Sequence, residues 1–218
     1  MEQSLFSQAL ISKEIAQTLP SGYTLRPIQS GDFERGVLDV LQVLTSVGDV
    51  SRAKFLGMAL VNRADIERFE WMRRRNDTYF MIVIENDKNT IVGVGTLLVE
   101  AKLYSSLELY SCSIHTCALA GHIEDIAVAK SEQGKKLGIK IIHTLMDISE
   151  KVGCYKTTLV CADHNVKFYE RCGFIKGQNE MVHFLSFETD GRKYTFLGTR
   201  SRLGPIYKID SLKLWDDP

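Results

Sequence analysis

The sequence predicts one α/β domain, and three observations lead there. Residues 78–85, TYFMIVIE, and 90–100, TIVGVGTLLVE, are runs of β-forming residues joined by the turn Asn86-Asp87-Lys88-Asn89, which is the pattern of a β-hairpin. Residues 121–148 read as strand, glycine-bearing turn and amphipathic helix, and residues 155–161 supply a further strand. No internal repeat or low-complexity linker divides the 218 residues, a length common for one such domain.

The elements follow in order. Leu5, Phe6, Ala9, Leu10 and Ile15, with polar residues between them, predict a short amphipathic helix lying on the domain, ended by Pro20-Ser21-Gly22. Residues 23–28, YTLRPI, alternate and form the expected first strand. Asp32 is the expected N-cap of a helix whose Val37, Leu38, Leu41 and Leu44 recur at helical spacing. A second helical stretch, residues 65–75, carries Ile66, Phe69 and Met72. After the hairpin, residues 101–120 have no clear period. Residues 122–129, HIEDIAVA, read as a strand, and residues 136–152 as a helix with Leu137, Ile141, Ile142, Leu145, Met146 and Ile148 on its apolar face. Residues 164–171 are a short helix stopped by Cys172-Gly173, and from Phe174 onward the chain is expected to return as strand.

Composition narrows the function classes. Lys and Arg number 27, as do Asp and Glu, so the broad electrostatic case for nucleic acid is gone, while a local basic patch for a phosphate is not excluded. The five cysteines (Cys112, Cys117, Cys154, Cys161 and Cys172) are odd in number and none is paired as Cys-x-x-Cys. Reduced thiols are expected rather than a disulfide or zinc framework. His115, His143, His164 and His183 show no metal-ligand grouping, and no metal is expected. The N-terminus has no basic n-region or long apolar core, and no apolar run is long enough for a bilayer. The expected location is the cytoplasm, with no membrane partner.

Two segments carry chemistry. The first is GHIEDIAVAKSEQGKKLGIKIIHTLMDI, residues 121–148. Its turn, Gln133-Gly134-Lys135-Lys136-Leu137-Gly138, precedes a helix N-terminus, where unpaired N–H groups and the helix dipole favour an anion. Glycines let that backbone approach a pyrophosphate, and Lys135, Lys136 and Lys140 add positive charge. The turn is neither a P-loop nor a dinucleotide fingerprint. The second segment is Asn165-Val166-Lys167-Phe168-Tyr169-Glu170-Arg171-Cys172-Gly173-Phe174. It sets a phenol one turn after an Asn at a helix start. Read without further context, Phe168 and Tyr169 are ordinary core aromatics and Thr45 an ordinary turn hydroxyl, and His122 is a satisfied structural histidine.

Taken together, these motifs resemble the second half of the Gcn5-related N-acetyltransferases. GHIEDIAV, QGKKLG, GCYKTTL and NVKFYERCGF, with GYTLRPI, VLTSVGDV and RNDTYFMIVIE, are similar to the glucosamine 6-phosphate N-acetyltransferase family within them. The resemblance covers most of residues 20–55, 68–102 and 114–184. It implies an α+β fold with a mixed, mostly antiparallel central sheet flanked by helices, spanning residues 20–186. Residues 1–19 then form an N-terminal segment and residues 187–218 a C-terminal extension. It further implies that Glu124, Asp125 and Ile126 are the strand edge that pairs with the pantetheine arm of acetyl-CoA, and that a backbone N–H there receives the developing oxyanion. Residues Gln133, Gly134, Lys135, Lys136, Leu137 and Gly138 would cradle the pyrophosphate and Asn165 would contact coenzyme A. Tyr169 would assist the leaving thiolate, with Asp125 and Glu124 beside the reacting centre. Thr45, Lys102, Ser113, Ile114, His115, Tyr155 and Lys156 would line the glucosamine 6-phosphate site. The implied assembly is a homodimer with a C-terminal strand near residues 180–184 at the interface.

The chain departs from that pattern at four places. Val160 stands where the family usually has an acid. Residues 57–66 and 104–112 read as insertions, and Phe184 replaces a basic residue seen in some members, with the chain continuing to Pro218. Two other readings stand beside the first: an acetyltransferase of this fold acting on another amine, and a coenzyme A-binding protein with weak catalysis.

Overall fold

A computed structural model describes residues 2–44, 68–102 and 118–177, together with the strand backbone at 186–189, 192–195 and 207–208. The chain forms two compact units, residues 1–160 and 161–218.

The first unit is built on a five-stranded sheet in the order β1 (Thr24–Pro27), β2 (Tyr79–Glu85), β3 (Ile91–Lys102), β4 (Ala118–Val128) and β5 (Cys154–Leu159). The first four strands are antiparallel to their neighbours and β5 is parallel to β4. The sheet is therefore mixed and mostly antiparallel, as expected. The β2–β3 hairpin turns where expected: the Asn86 side chain accepts from the N–H of Lys88 and of Thr90, and Asn89 adopts a positive φ of 55°. Asparagine tolerates that left-handed turn position.

Among the described residues this unit has four α-helices: α1 (Lys13–Gln17), α2 (Val37–Leu41), α3 (Arg68–Arg73) and α4 (Leu137–Lys151). α4 packs across β2, β3, β4 and β5. Its buried face is Leu137, Ile141, Ile142, Leu145 and Ile148, with Thr144 and Ser149 also buried and Met146 only half-buried. The two buried hydroxyls are satisfied: Thr144 donates to the Lys140 carbonyl at 2.8 Å and Thr157 to Ser149 at 2.8 Å. Gly93, Gly95 and Gly121 lie beneath α4, where the missing side chains let the helix approach the sheet. A Cβ on Gly95 would meet Ile141, and would stand 2.7 Å from Ile126 Cδ1 and 3.1 Å from Leu145 Cδ1.

Residues 2–19 are more tied down than one amphipathic helix would be. They contain a 3-10 turn (Gln8–Leu10) followed by α1, and contribute Leu5, Phe6 and Ile11 to the core. Phe6 meets Phe80 edge-on at 5.3 Å.

The expected N-cap at Asp32 is corrected. α2 begins later, after Gly36, and Asp32 is fully buried as a charge partner instead. Arg26 donates to both its carboxylate oxygens, at 2.8 and 2.7 Å, and Arg35 adds a third bond at 3.0 Å. Arg26 also donates to Glu85 at 2.8 Å. A carboxylate so buried must be paired, and a bidentate guanidinium is the strongest available partner. Val37 and Val40 are the buried positions of α2, whereas Leu44 is exposed. In α3, Phe69 and Met72 are buried as expected, and Ile66 lies outside the described residues.

The second unit contains a 3-10 turn (Asp163–Asn165), α5 (Val166–Arg171) and a sheet of β6 (Ser186–Thr189), β7 (Arg192–Thr195) and β8 (Tyr207–Lys208). α5 stops at Cys172-Gly173, where Gly173 takes the positive φ of 96° that such a stop requires. The expected return to strand at Phe174 is corrected for residues 174–177, which are irregular. Residues 178–185 lie outside the described residues.

Candidate functional site

The first unit's site grows from a break in β4. Val94 of β3 pairs with Ala127 and Thr96 with Glu124, so Asp125 and Ile126 together oppose Gly95. This two-against-one arrangement is a β-bulge, and it bends the strand and re-aims its groups. Asp125 takes a φ of 56° there, a conformation that a non-glycine residue holds at some cost. Glu124 and Asp125 are consequently both exposed, where simple alternation would place them on opposite faces.

The second feature is a splay. β4 and β5 pair in register only as far as Ile123 opposite Leu159. Beyond that point residues 124–128 present an edge with no strand on the β5 side among the described residues. Backbone groups of residues 124–127 that point away from β3 face this side, where an extended ligand can pair with them, while the Val128 carbonyl accepts from Gln133 at 3.4 Å. Although Asp125 is exposed as a residue, desolvation of its carboxyl against the sheet holds its pKa above the ordinary carboxylate value, partly offset by the Thr96 hydroxyl at 3.4 Å.

The third feature is the turn into α4. A 3-10 turn (Lys130–Glu132) leads to Gln133 in extended conformation, Gly134 at φ 86° and Lys136 at φ 61°. Lys136 is the N-cap residue and makes no side-chain capping bond. The first intrahelical backbone bond beyond the turn is from Lys140 N–H to the Lys136 carbonyl, at 3.3 Å. The N–H groups of Leu137, Gly138 and Ile139 are thus left at the positive end of a 15-residue helix. Gly134 has nothing within 4 Å of where a Cβ would stand, so its backbone conformation, not crowding, requires glycine.

Lys135 does not point its charge into this turn freely. Its ammonium donates to Glu132 at 2.6 Å and to the Tyr23 hydroxyl at 2.7 Å, and Tyr23 donates to Glu132 at 2.5 Å. Lys135 lowers the pKa of Glu132, with Tyr23 adding to the effect, and Glu132 raises that of Lys135. Lys136 and Lys140 remain as the cations nearest the helix end.

The substrate-side residues divide. Lys102 closes β3 and pairs with Glu100, and Lys156 on β5 lies 5.4 Å from the Tyr155 ring centroid, with Tyr155 partly exposed. Thr45, Ser113, Ile114 and His115 lie outside the described residues. Val160, just past the end of β5, is 55% exposed, so an apolar side chain faces solvent there.

In the second unit Asn165 precedes α5, and Tyr169 sits within it. Tyr169 packs edge-on between Phe168, at 5.1 Å, and Phe174, at 6.2 Å. Burial raises its pKa, and the nearby Cys161 and Cys172 add to the shift, so it is a phenol and not a phenolate at neutral pH. Cys154, Cys161 and Cys172 are free thiols; Cys112 and Cys117 lie outside the described residues. Among the described residues no His, Cys, Asp and Glu side chains group as a metal site would, and no helix is long and apolar enough to cross a membrane.

Sequence reasoning took His122 for a satisfied structural histidine and did not single out Thr158. His122 Nδ1 lies 3.0 Å from Thr158 Oγ1, and its Nε2 lies 3.6 Å from Glu124 Oε1. The signal was present: residues two apart on a strand share a face.

A bulged central strand, a splayed parallel neighbour and an uncapped helix N-terminus define an acyl-group transferase of one fold family. Residues 51–174 match the model of the acetyltransferase (GNAT) family, and the chain belongs to that family. Among its relatives, the glucosamine 6-phosphate N-acetyltransferase of Candida albicans is 40% identical over 164 residues, covering 75% of this chain and 97% of that protein. Glucosamine 6-phosphate N-acetyltransferase 1 of Dictyostelium discoideum is 37% identical over 172 residues, covering 78% and 96%. The crystal structure of glucosamine-6-phosphate N-acetyltransferase from Arabidopsis thaliana superposes with a TM-score of 0.62 at 31% identity, covering 74% of this chain and 97% of that one.

Proposed function

We propose that this chain is an acyltransferase that moves the acetyl group of acetyl-CoA to the amine of D-glucosamine 6-phosphate. The product is N-acetylglucosamine 6-phosphate, a precursor for UDP-N-acetylglucosamine. The observation that carries this reading is the pairing of a free, bulged β4 edge with the uncapped α4 N-terminus, in a chain whose relatives of that name align over nearly their whole length.

In this reading the β4 edge, residues 124–126, takes the pantetheine arm as an added strand, and the N–H groups of Leu137, Gly138 and Ile139 hold the pyrophosphate. Gln133, Gly134 and Lys136 shape the turn, and Lys135 stiffens it through Glu132 and Tyr23. The neutral sugar amine attacks the thioester carbonyl directly. A backbone N–H at the bulge stabilises the oxyanion, and the Tyr169 phenol returns a proton to the departing thiolate. Asn165 contacts coenzyme A. Lys102, Tyr155 and Lys156, with Thr45 and residues 113–115, recognise the sugar phosphate. The acetyltransferase domain spans residues 20–186, and the protein works in the cytoplasm as a homodimer without metal.

The test is thiol release from acetyl-CoA with glucosamine 6-phosphate, with glucosamine, and with a lysine peptide. The phosphosugar is expected to be turned over with the highest kcat/KM. Equal or better turnover of the unphosphorylated sugar or the peptide overturns the substrate assignment.

A further inference from the structure

The geometry points to His122 as the general base of this site, taking the proton from the substrate ammonium through Nε2 beside Glu124. This deepens the amine-acetylation reading above and rests on it.

The argument begins with which face His122 occupies. Gly121 faces α4, since a Cβ there would meet Ser149 Oγ. Thr157 faces α4 too, because its hydroxyl donates to Ser149. Strand alternation then turns His122, Glu124 and Thr158 to the opposite face of the sheet. All three retain solvent access: the His122 and Glu124 side chains are 36% and 49% exposed, and Thr158 is exposed. They stand at the mouth of the β4–β5 splay, within three residues of the bulge at Asp125.

The hydrogen bonds favour one tautomer. The Thr158 hydroxyl donates to the Gly121 carbonyl at 3.3 Å, which uses its only proton. Its oxygen is then the acceptor for His122 Nδ1, at 3.0 Å. A neutral imidazole that donates from Nδ1 carries its lone pair on Nε2. That nitrogen stands 3.6 Å from Glu124 Oε1. In that tautomer both atoms are acceptors, and neither supplies a proton to the other. They suit a third group that brings several N–H donors, and a primary ammonium is such a group.

The step balances. The ammonium of the substrate gives one proton to His122 Nε2, and Glu124 stabilises the imidazolium formed. The freed nitrogen lone pair forms the C–N bond at the thioester carbonyl. The C–S bond breaks and its electron pair leaves on sulfur. The nitrogen's second proton goes to the thiolate, and the third remains on the amide. Among the described residues, the other charged groups on this face are Glu100 and Lys102 of β3, paired with each other, Lys156 of β5 and, farther across the sheet, Arg26 of β1 paired with Glu85 of β2. α2 packs against β3 and β4 and carries one titratable side chain, Asp39, which is exposed.

The experiment is the pH profile of kcat/KM for glucosamine 6-phosphate in the full-length protein, wild type against His122→Gln. The variant is expected to lose about a hundredfold or more and to lose the rising limb of the profile. Its affinity for acetyl-CoA, measured by calorimetry, is expected to be unchanged. A loss below about tenfold with the limb intact overturns the proposal, since a packing role would leave the profile's shape alone. If His122→Gln melts well below wild type, Thr158→Val carries the test: releasing the tautomer is expected to lower kcat and displace the limb. A wild-type profile in Thr158→Val then overturns the proposal. If wild type turns over glucosamine or the peptide but not the phosphosugar, the substrate reading fails alone and the comparison is made with the active amine. No turnover with any of the three overturns both readings.

Discussion

Glu132 shows how one carboxylate can set a turn. It accepts from Lys135 and from the Tyr23 hydroxyl, so the start of β1 is fastened to the entry of α4. The Glu132 pKa is lowered, chiefly by Lys135 and then by Tyr23. A carboxyl whose folded pKa lies below its unfolded one adds stability above the ordinary carboxylate range. That stability is lost as pH falls through the folded value. Glu132→Gln is therefore expected to melt below wild type at neutral pH, with the gap closing as the solution is acidified through the carboxylate range. The gap is small, because Lys135 is well exposed and solvent screens the pair. Thermal melts of both proteins across that pH range measure it, and a gap that stays constant counts against the role given to Glu132.

At the scale of elements, close approach matters more than charge. Gly95 lies where α4 and the β4 bulge both press on β3. Gly95→Ala forces a methyl against Ile141, Ile126 and Leu145, and is expected to cost about 1–3 kcal/mol. Gly134→Ala meets nothing, and its cost is the left-handed backbone alone, about 1 kcal/mol. Urea unfolding of the two variants tests that order, and a smaller loss at Gly95 contradicts the packing described. These elements differ in how well the sequence revealed them. α4 was legible because its apolar residues keep a helical period over four turns. The β2–β3 hairpin was legible because an Asn-rich turn parts two runs of β-formers. The bulge was not, because the adjacent acids Glu124 and Asp125 show only that alternation falters, and the extra residue is seen only when Asp125 and Ile126 both oppose Gly95. Asp32 misled because an acid before an apolar run suits a capping residue and a buried ion pair equally well, and Arg26 decides between them from a neighbouring strand. The glycine turn into α4 and the short helix that carries Tyr169 could be read from motifs. The His122 contact with Thr158 could not, because it depends on β4 and β5 being parallel and in register.

At the scale of the molecule, the expected assembly is a homodimer, on the family resemblance of residues 180–184. Sedimentation velocity at micromolar concentration is expected to give one species of twice the chain mass, and a pure monomer excludes it. The order of the strands has a different consequence. In the first unit the sheet runs β1-β2-β3-β4-β5, the same order as the chain. A ribosome releases the strands in that order, so each new strand finds its only partner already made and no earlier pairing must open to admit it. Only β5 joins parallel to its neighbour, and α4, which must cross the sheet first, is synthesised between the two. The β4 edge proposed to take acetyl-CoA is thus flanked on its β5 side only when the first unit's single parallel strand has docked.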